Sequence, residues 1–384
     1  MRILIDVMSG DNAPGEILHG AVLSAEEYPA LEIAVVGNEE IIRETAESAG
    51  LSLDGITVIP SKSVVEMEDK ALCVVRDKKD SSMSIGLHEL ATGNGDAFVS
   101  AGNTGALLAG ATLLVRRIQG ISRAGIATIL PFPNPVLLMD AGANLEVTPE
   151  NLEQFAAMGT LYMGKIYGIR EPRVGQINNG TEYNKGLPLQ VEGYARLSRS
   201  GLNFVGNVEA KMLPFDACDI AVTDGFTGNI VLKLMEGMGK FFSASLKELF
   251  YTNAATKLSA VMIKGKLRDF KKRFDASEHG GAPLLGISKP VIKAHGSSDA
   301  VAIKNAVHQA MTFVNTGINY EIAAWAAEFD KKLREEKAAA KVAVEPKNTD
   351  EKREEPSPGT ENAPASAGND GVNRPAEEQT APVQ

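Results

Sequence analysis

Gly102-Asn103-Thr104-Gly105 sets two glycines around two short polar side chains, between the apolar residues 97–99 and the sparsely polar residues 106–115. Those flanks predict a strand covered on both faces, then a buried helix. Glycine lets the backbone turn sharply and come close to a ligand, and the first N–H groups of a helix lack intrahelical partners. Such a hinge, entered from Ser100, is suited to holding an anion. The loop lacks the GK[ST] ending of a Walker motif and the three-glycine spacing of a dinucleotide fingerprint, so alone it reads equally well as a tight turn.

The same grammar recurs along the chain. Asp6 leads into residues 8–15, Asp140 into Gly142 and Asn144, Ile177 into residues 178–186, Val222 into Asp224, Gly225, Thr227, Gly228 and Asn229, and Ala294 into His295, Gly296 and Ser297. With Ser100 this makes six strand ends followed by glycine and Asn, Asp, Ser or Thr. Each alone is ordinary turn chemistry. In an open α/β sheet the ligand crevice lies off the carboxyl ends of the strands, so together these loops should converge on one polar, phosphate-sized pocket. Backbone donors, amides, hydroxyls and a few charges suit the positioning of a phosphate and the stabilisation of an oxyanion.

The elements that must position these loops follow a strand–helix rhythm. Strand-like runs at residues 3–7, 33–36, 56–59, 97–99, 136–139, 174–177, 204–205, 220–222 and 291–292 alternate with helix-like ones. That alternation predicts an α/β fold with a doubly wound, mostly parallel sheet. Thr148-Pro149-Glu150 has the hydroxyl, the first-turn proline and the acid of a helix start. Residues 251–275 break the rhythm: Leu258, Met262 and Phe270 recur at helical spacing among Lys264, Lys266, Lys271, Lys272 and Arg273. A protruding pair of basic amphipathic helices over 250–275 is expected there, as a solvated or dimer-forming hairpin or as a surface for an anionic membrane or acidic partner.

Composition narrows the function classes. The chain has 384 residues, 44% hydrophobic, with 37 glycines and 5% aromatics, as expected of a large α/β protein with tight loops. Residues 345–384 hold nine acids, four bases and no aromatic residue, so residues 343–384 are expected to be a disordered acidic tail after a domain at 1–342. Without that tail the net charge of -10 falls by half, and the body has no basic excess for nucleic acid. The two cysteines, Cys73 and Cys218, form neither a disulfide framework nor a zinc spacing, and Asp6 comes too early for a signal peptide, which points to the cytoplasm. The five histidines make no HExxH, no G-x-S-x-G elbow is present, and Gly237-Met238-Gly239 lies inside a helix-like run, so no metal or cofactor is expected.

Residues 6–14, 100–105, 140–144, 224–229, 280–286 and 292–299 together, in order, resemble the bacterial phosphate acyltransferase family, the acyl-ACP:phosphate transacylases of phospholipid synthesis. The likeness runs from Met1 to about Lys341. Ser9 and Asn12 stand where glycine and often histidine are usual, and Lys70 where proline is common. The resemblance implies a fold like isocitrate and isopropylmalate dehydrogenases and phosphotransacetylase. It also implies phosphorolysis of fatty acyl carrier protein to acyl phosphate, a homodimer, and a membrane acyltransferase that uses the product on glycerol 3-phosphate. Lys185 and Asn229 match the family's catalytic candidates, and the basic hairpin matches its region of peripheral membrane association. On the residues alone, two other classes stay open: a dehydrogenase of the related fold, requiring nicotinamide and usually a divalent metal, and a non-catalytic membrane adaptor resting on the hairpin.

Overall fold

Strands buried on both faces carry no polar alternation. In the computed structural model, which describes residues 1–253, Gly265 and residues 280–344, this is true of β1 (Arg2–Asp6), β2 (Glu32–Gly37) and β4 (Ala97–Ser100), with β3 (Ile56–Pro60) as a half-exposed edge. They pair in parallel, Ile5 lying against Val35 on one side and Val99 on the other. With β5 (Gly125–Ile126), β11 (Ala282–Leu285) and β12 (Val291–Lys293) they form a seven-stranded sheet of order β3-β2-β1-β4-β12-β11-β5. A second sheet of five strands has the order β6 (Thr128–Leu130), β7 (Val136–Met139), β10 (Ile220–Val222), β8 (Val174–Asn178), β9 (Phe204–Glu209).

All nine expected strands are present, and the architecture is the expected mixed, mostly parallel α/β type. The strands divide between two sheets because residues 125–130 cross from one to the other. β5 pairs with β11, Ala127 N–H bonds to Pro283 O at 3.1 Å, and β6 then runs antiparallel to β7. The three strands with no sequence signal, β5, β6 and β11, are two to four residues long and all pair antiparallel. Pro283 inside β11 removes a ladder donor, which argues against a strand in any sequence reading.

Helices cover both sheets. They are α1 (Gly15–Glu27), α2 (Glu39–Ala49), α3 (Cys73–Arg76), α4 (Ser82–Thr92), α5 (Thr104–Gly110), α6 (Pro149–Tyr167), α7 (Pro188–Leu197), α8 (Gly225–Tyr251), α9 (Ala300–Thr316) and α10 (Ile318–Val344). α6 starts at Thr148 as expected, the Asn151 side chain accepting from Thr148 N–H at 2.9 Å. The helix expected over 106–115 is α5 followed by one wide π turn at Ala111–Val115, closed by Arg116 at φ 76°. No described helix is long and apolar enough to cross a membrane.

The chain falls into two units, Met1–Glu335 and Glu336–Gln384; of the second, the described part is helix as far as Val344. The expected basic hairpin lies outside the described residues apart from its first residues and Gly265. Leu258, Met262, Lys264, Lys266, Phe270, Lys271, Lys272 and Arg273 lie outside them too.

α1 and α9 meet over the first sheet at Gly20. A methyl group there would stand 2.5 Å from Ile303 Cβ and 2.7 Å from Ala300 O. Overpacking of this kind costs about 1–3 kcal/mol, more than alanine returns as a helix former. Gly20→Ala should therefore lower Tm by several degrees in a thermal scan; an unchanged Tm would mean the two helices part freely.

Candidate active site

From β1 the chain proceeds to β2 and β3, whereas β4 lies on the other side of β1, so the strand order reverses between β1 and β4. At such a reversal the carboxyl ends of the strands open a crevice. Asp6 and Ser100 occupy those two ends. Ser100 Oγ donates to Asp6 Oδ2 at 2.8 Å and accepts from Gly102 N–H at 3.1 Å. Asp6 is wholly buried, and burial pushes its carboxyl pKa up while the hydroxyls of Ser82, Ser9 and Ser100 pull it back.

Asn103 caps α5 by accepting from Ala106 N–H at 3.0 Å, and its amide donates to the carbonyls of Glu66, Met67 and Asp69. Thr104 and Gly105 beside it are at least partly exposed. The loops after β1 and β12 are tied together. Asp11 N–H bonds to Gly296 O at 2.8 Å, and Asn12 Nδ2 reaches the carbonyls of Ser297 and Ser298 at 3.2 Å. His295 Nδ1 lies 2.9 Å from Ser297 Oγ. Burial lowers the His295 pKa, Glu236 opposes that, and Lys233, Lys293 and Lys240 reinforce it.

In the second sheet Asp140 ends β7. Its Oδ1 accepts from the N–H groups of Ile126, Gly142 and Ala143 at 3.0, 3.1 and 2.9 Å. Its Oδ2 accepts from Asn144 N and Nδ2 at 2.7 and 2.8 Å. A carboxylate has about four lone-pair sites, so these five donors saturate it. Burial pushes its pKa up and the N–H donors pull it back. Asp224 caps α8, accepting from Thr227 N–H at 2.8 Å and Thr227 Oγ at 2.9 Å. Gly225 N–H bonds to Asn144 O at 2.7 Å. At Gly228 a methyl group would stand 1.8 Å from Asp140 O, so the helix can lie this close to the loop only without a side chain there.

Lys185 lies on the exposed loop after β8, its carbonyl held by Asn178 Nδ2 at 3.0 Å. β8 and β7 flank β10 in parallel register, Val222 facing Gln176 and Met139, so the loops carrying Lys185 and Asp140 and the start of α8 carrying Asn229 are neighbours. Asn229 is exposed one position past Gly228, and a methyl group on Gly142 would stand 3.4 Å from Asn229 Cβ. Among the described residues, the Lys185 ammonium has no ion pair and the Asn229 amide no hydrogen bond.

The two loop sets converge. Lys293 faces Ala282 in the β11–β12 ladder, the next residue's carbonyl holds Ala127 N–H, and Ile126 N–H holds Asp140. α8 spans the same interval: it starts against the Asp140 loop and carries Glu236 to within 3.8 Å of His295 Nε2, with Lys233 paired to Glu236 at 2.9 Å.

The expected catalytic and phosphate-binding residues therefore lie at the carboxyl ends of strands, in the loops there or at the starts of α5 and α8, with unequal freedom. Asn103, Asp140, Asn144, Asp224 and Thr227 are engaged in tying loops. Gly102, Gly225 and Gly228 permit close packing. Lys185, Asn229, Thr104, Gly105, His295 and Ser297 are at least partly exposed. Lys293, absent from the sequence expectations, is 9% exposed and donates to Ala101 O and Ala294 O. A lysine ending an apolar strand just before a glycine loop was the available signal.

Two mostly parallel sheets, their polar strand-end loops linked through the 125–130 crossing and along α8, are the class that fold and site define. The family model described as fatty acid synthesis protein matches residues 1–321. The phosphate acyltransferase of Thermoanaerobacter pseudethanolicus is 45% identical over 319 residues, covering 83% of this chain and 95% of that one. That of Lysinibacillus sphaericus is 45% identical over 316 residues, covering 82% and 94%. This chain belongs to the phosphate acyltransferase family. In fold it is similar to a phosphotransacetylase from Streptococcus pyogenes, with TM-score 0.52 at 19% identity, covering 85% of this chain and 94% of that one. A phosphotransacetylase from Staphylococcus aureus gives 0.51 at 15% identity, covering 83% and 94%.

Two glycines of α8 make opposite predictions. Gly228→Ala should depress Tm and turnover together, because its methyl group overlaps a backbone oxygen that cannot yield. Gly237→Ala, with nothing within 4 Å, should hold activity and raise stability by about 0.5–1 kcal/mol. Tm and turnover of both variants, measured together, check the pair.

Proposed function

We propose that the chain transfers a long-chain fatty acyl group from the thioester of acyl carrier protein to inorganic phosphate. The acyl phosphate formed then feeds acylation of glycerol 3-phosphate by a membrane acyltransferase. Two side chains carry this reading: the ammonium of Lys185 on the loop after β8 and the amide of Asn229 at the start of α8, both unengaged. The apolar side chains of Leu145, Tyr183, Leu187, Phe226 and Ile230 on the same loops and the start of α8 are each more than half exposed. Exposed apolar groups gathered beside a polar crevice suit an aliphatic chain.

Phosphate oxygen attacks the thioester carbon, and the carbonyl electrons move onto oxygen. Asn229 donates to that oxyanion, and Lys185 offsets phosphate charge and directs the attacking oxygen. When the carbonyl re-forms, the C–S bond breaks and the pantetheine sulfur leaves as thiolate, taking its proton from solvent. The hydroxyl of Thr104 and the N–H groups of Asn103, Thr104 and Gly105 complete the phosphate cradle. No cofactor is required.

A homodimer working in the cytoplasm and held peripherally at an anionic membrane belongs to the same reading. The membrane part rests on the basic residues of the 250–275 segment.

Thiol release from long-chain acyl carrier protein, with and without inorganic phosphate and with hydroxylamine trapping acyl phosphate, tests the reaction. Release independent of phosphate would make the protein a thioesterase. Lys185→Ala and Asn229→Ala should each lower kcat on the order of 100- to 1,000-fold, the usual loss for an oxyanion donor. Near-normal turnover in both would remove them from the chemistry. Replacing Lys271, Lys272 and Arg273 by Glu should free the protein from anionic vesicles and spare soluble turnover, whereas an adaptor would have no turnover to spare.

A further inference from the structure

Lys293 is a buried cation with no carboxylate in direct contact, Asp11 and Asp6 acting on it only from farther off. Its ammonium has three protons; two go to Ala101 O, at 3.2 Å, and Ala294 O. Among the described residues no carboxylate lies within ion-pair distance of it. A buried charge is ordinarily paired, because desolvation is costly unless an opposite charge offsets it. Here the charge stands at the carboxyl end of β12, opposite Ser100 in the ladder, beside the switch point where an anionic substrate is expected.

We propose that the Lys293 ammonium is the phosphate-holding group of this site, binding inorganic phosphate and doing so only while protonated. The inference rests on the phosphate-transfer reading and assigns the charge that reading requires. Lys185, on its exposed loop, then serves the attacking oxygen, and Lys293, fixed by two carbonyls, serves the phosphate body. Burial draws the Lys293 pKa down to about 8, with Asp11 raising it, Lys233 lowering it and Asp6 raising it. His295, the Lys233–Glu236 pair and Lys240 complete the charged groups facing this corner. Phosphate affinity should thus fall as pH rises through about 8, against the direction set by phosphate's own second ionisation.

Two measurements decide it. In the thiol-release assay, Lys293→Met should raise the phosphate KM about 10- to 100-fold, the scale of one charged hydrogen bond, and leave the acyl-donor KM in place. Lys293→Arg should recover part of the loss. A merely structural lysine would move both constants together. In the second, without acyl donor, inorganic phosphate at fixed ionic strength should raise the Tm of the native protein strongly at about pH 7 and weakly at about pH 9.5. It should not raise that of Lys293→Met. Equal protection in both proteins, no protection of the native protein, or protection unchanged between the two pH values would overturn the assignment. Should Lys293→Met fail to fold, the native pH series still decides. Phosphate protection lost in Lys293→Met, alongside thiol release that ignores phosphate, would retain the anion site and remove the reaction.

Discussion

Five N–H donors on one buried carboxylate hold the second half of the site. Asp140 takes the amides of Ile126, Gly142, Ala143 and Asn144 and the side chain of Asn144. Through Ile126 it fixes the crossing between the sheets; through Asn144, whose carbonyl takes Gly225 N–H, it seats the first turn of α8. The requirement at Gly228 follows from the same contact, because the loop is pulled onto the helix until only a hydrogen fits between them. The backbone that carries Asn229 is thereby fixed against the Asp140 loop, while its amide is left unengaged.

The first sheet solves a different problem with the same means. Asp6, Ser100 and Gly102 form a buried chain of hydrogen bonds at the switch point, so the loop proposed to hold phosphate hangs on the central strands. Asn12 and Asp11 then bind the first loop to the last one. Loops with few apolar contacts are held still by polar ties placed where strands end, and such ties strengthen as the local dielectric falls.

Much of this was legible in residues. The apolar runs located nine strands, and the glycine loops fall at their carboxyl ends, where the site is proposed. What the pattern could not distinguish is a polar residue that meets substrate from one that ties a loop. Asn103 and Asp140 have the composition of ligands and the bonds of scaffolding, and only the third dimension shows which carbonyls and amides lie within reach. β5, β6 and β11 escaped because strands of two to four residues carry no periodicity, and Pro283 argued against one of them. Lys293 escaped because a charged residue at a strand end reads as solvated; its burial comes from β4 and β11 on either side.

The two lysines differ in a way that suits the proposed reaction, with one small and one very large substrate. A charge buried at a strand end is already ordered and desolvated, so it gives up little freedom when a small dianion arrives and acts at low effective dielectric. An exposed lysine on a glycine-rich loop pays that ordering cost at binding, yet it would let the proposed protein-sized acyl donor approach from outside. Because a thiolate leaves readily, no buried general acid has to be maintained between them. On the proposed reading the polar groups that remain are those that place phosphate and receive the oxyanion, and the rest of the conspicuous polar sequence can be given over to holding the loops.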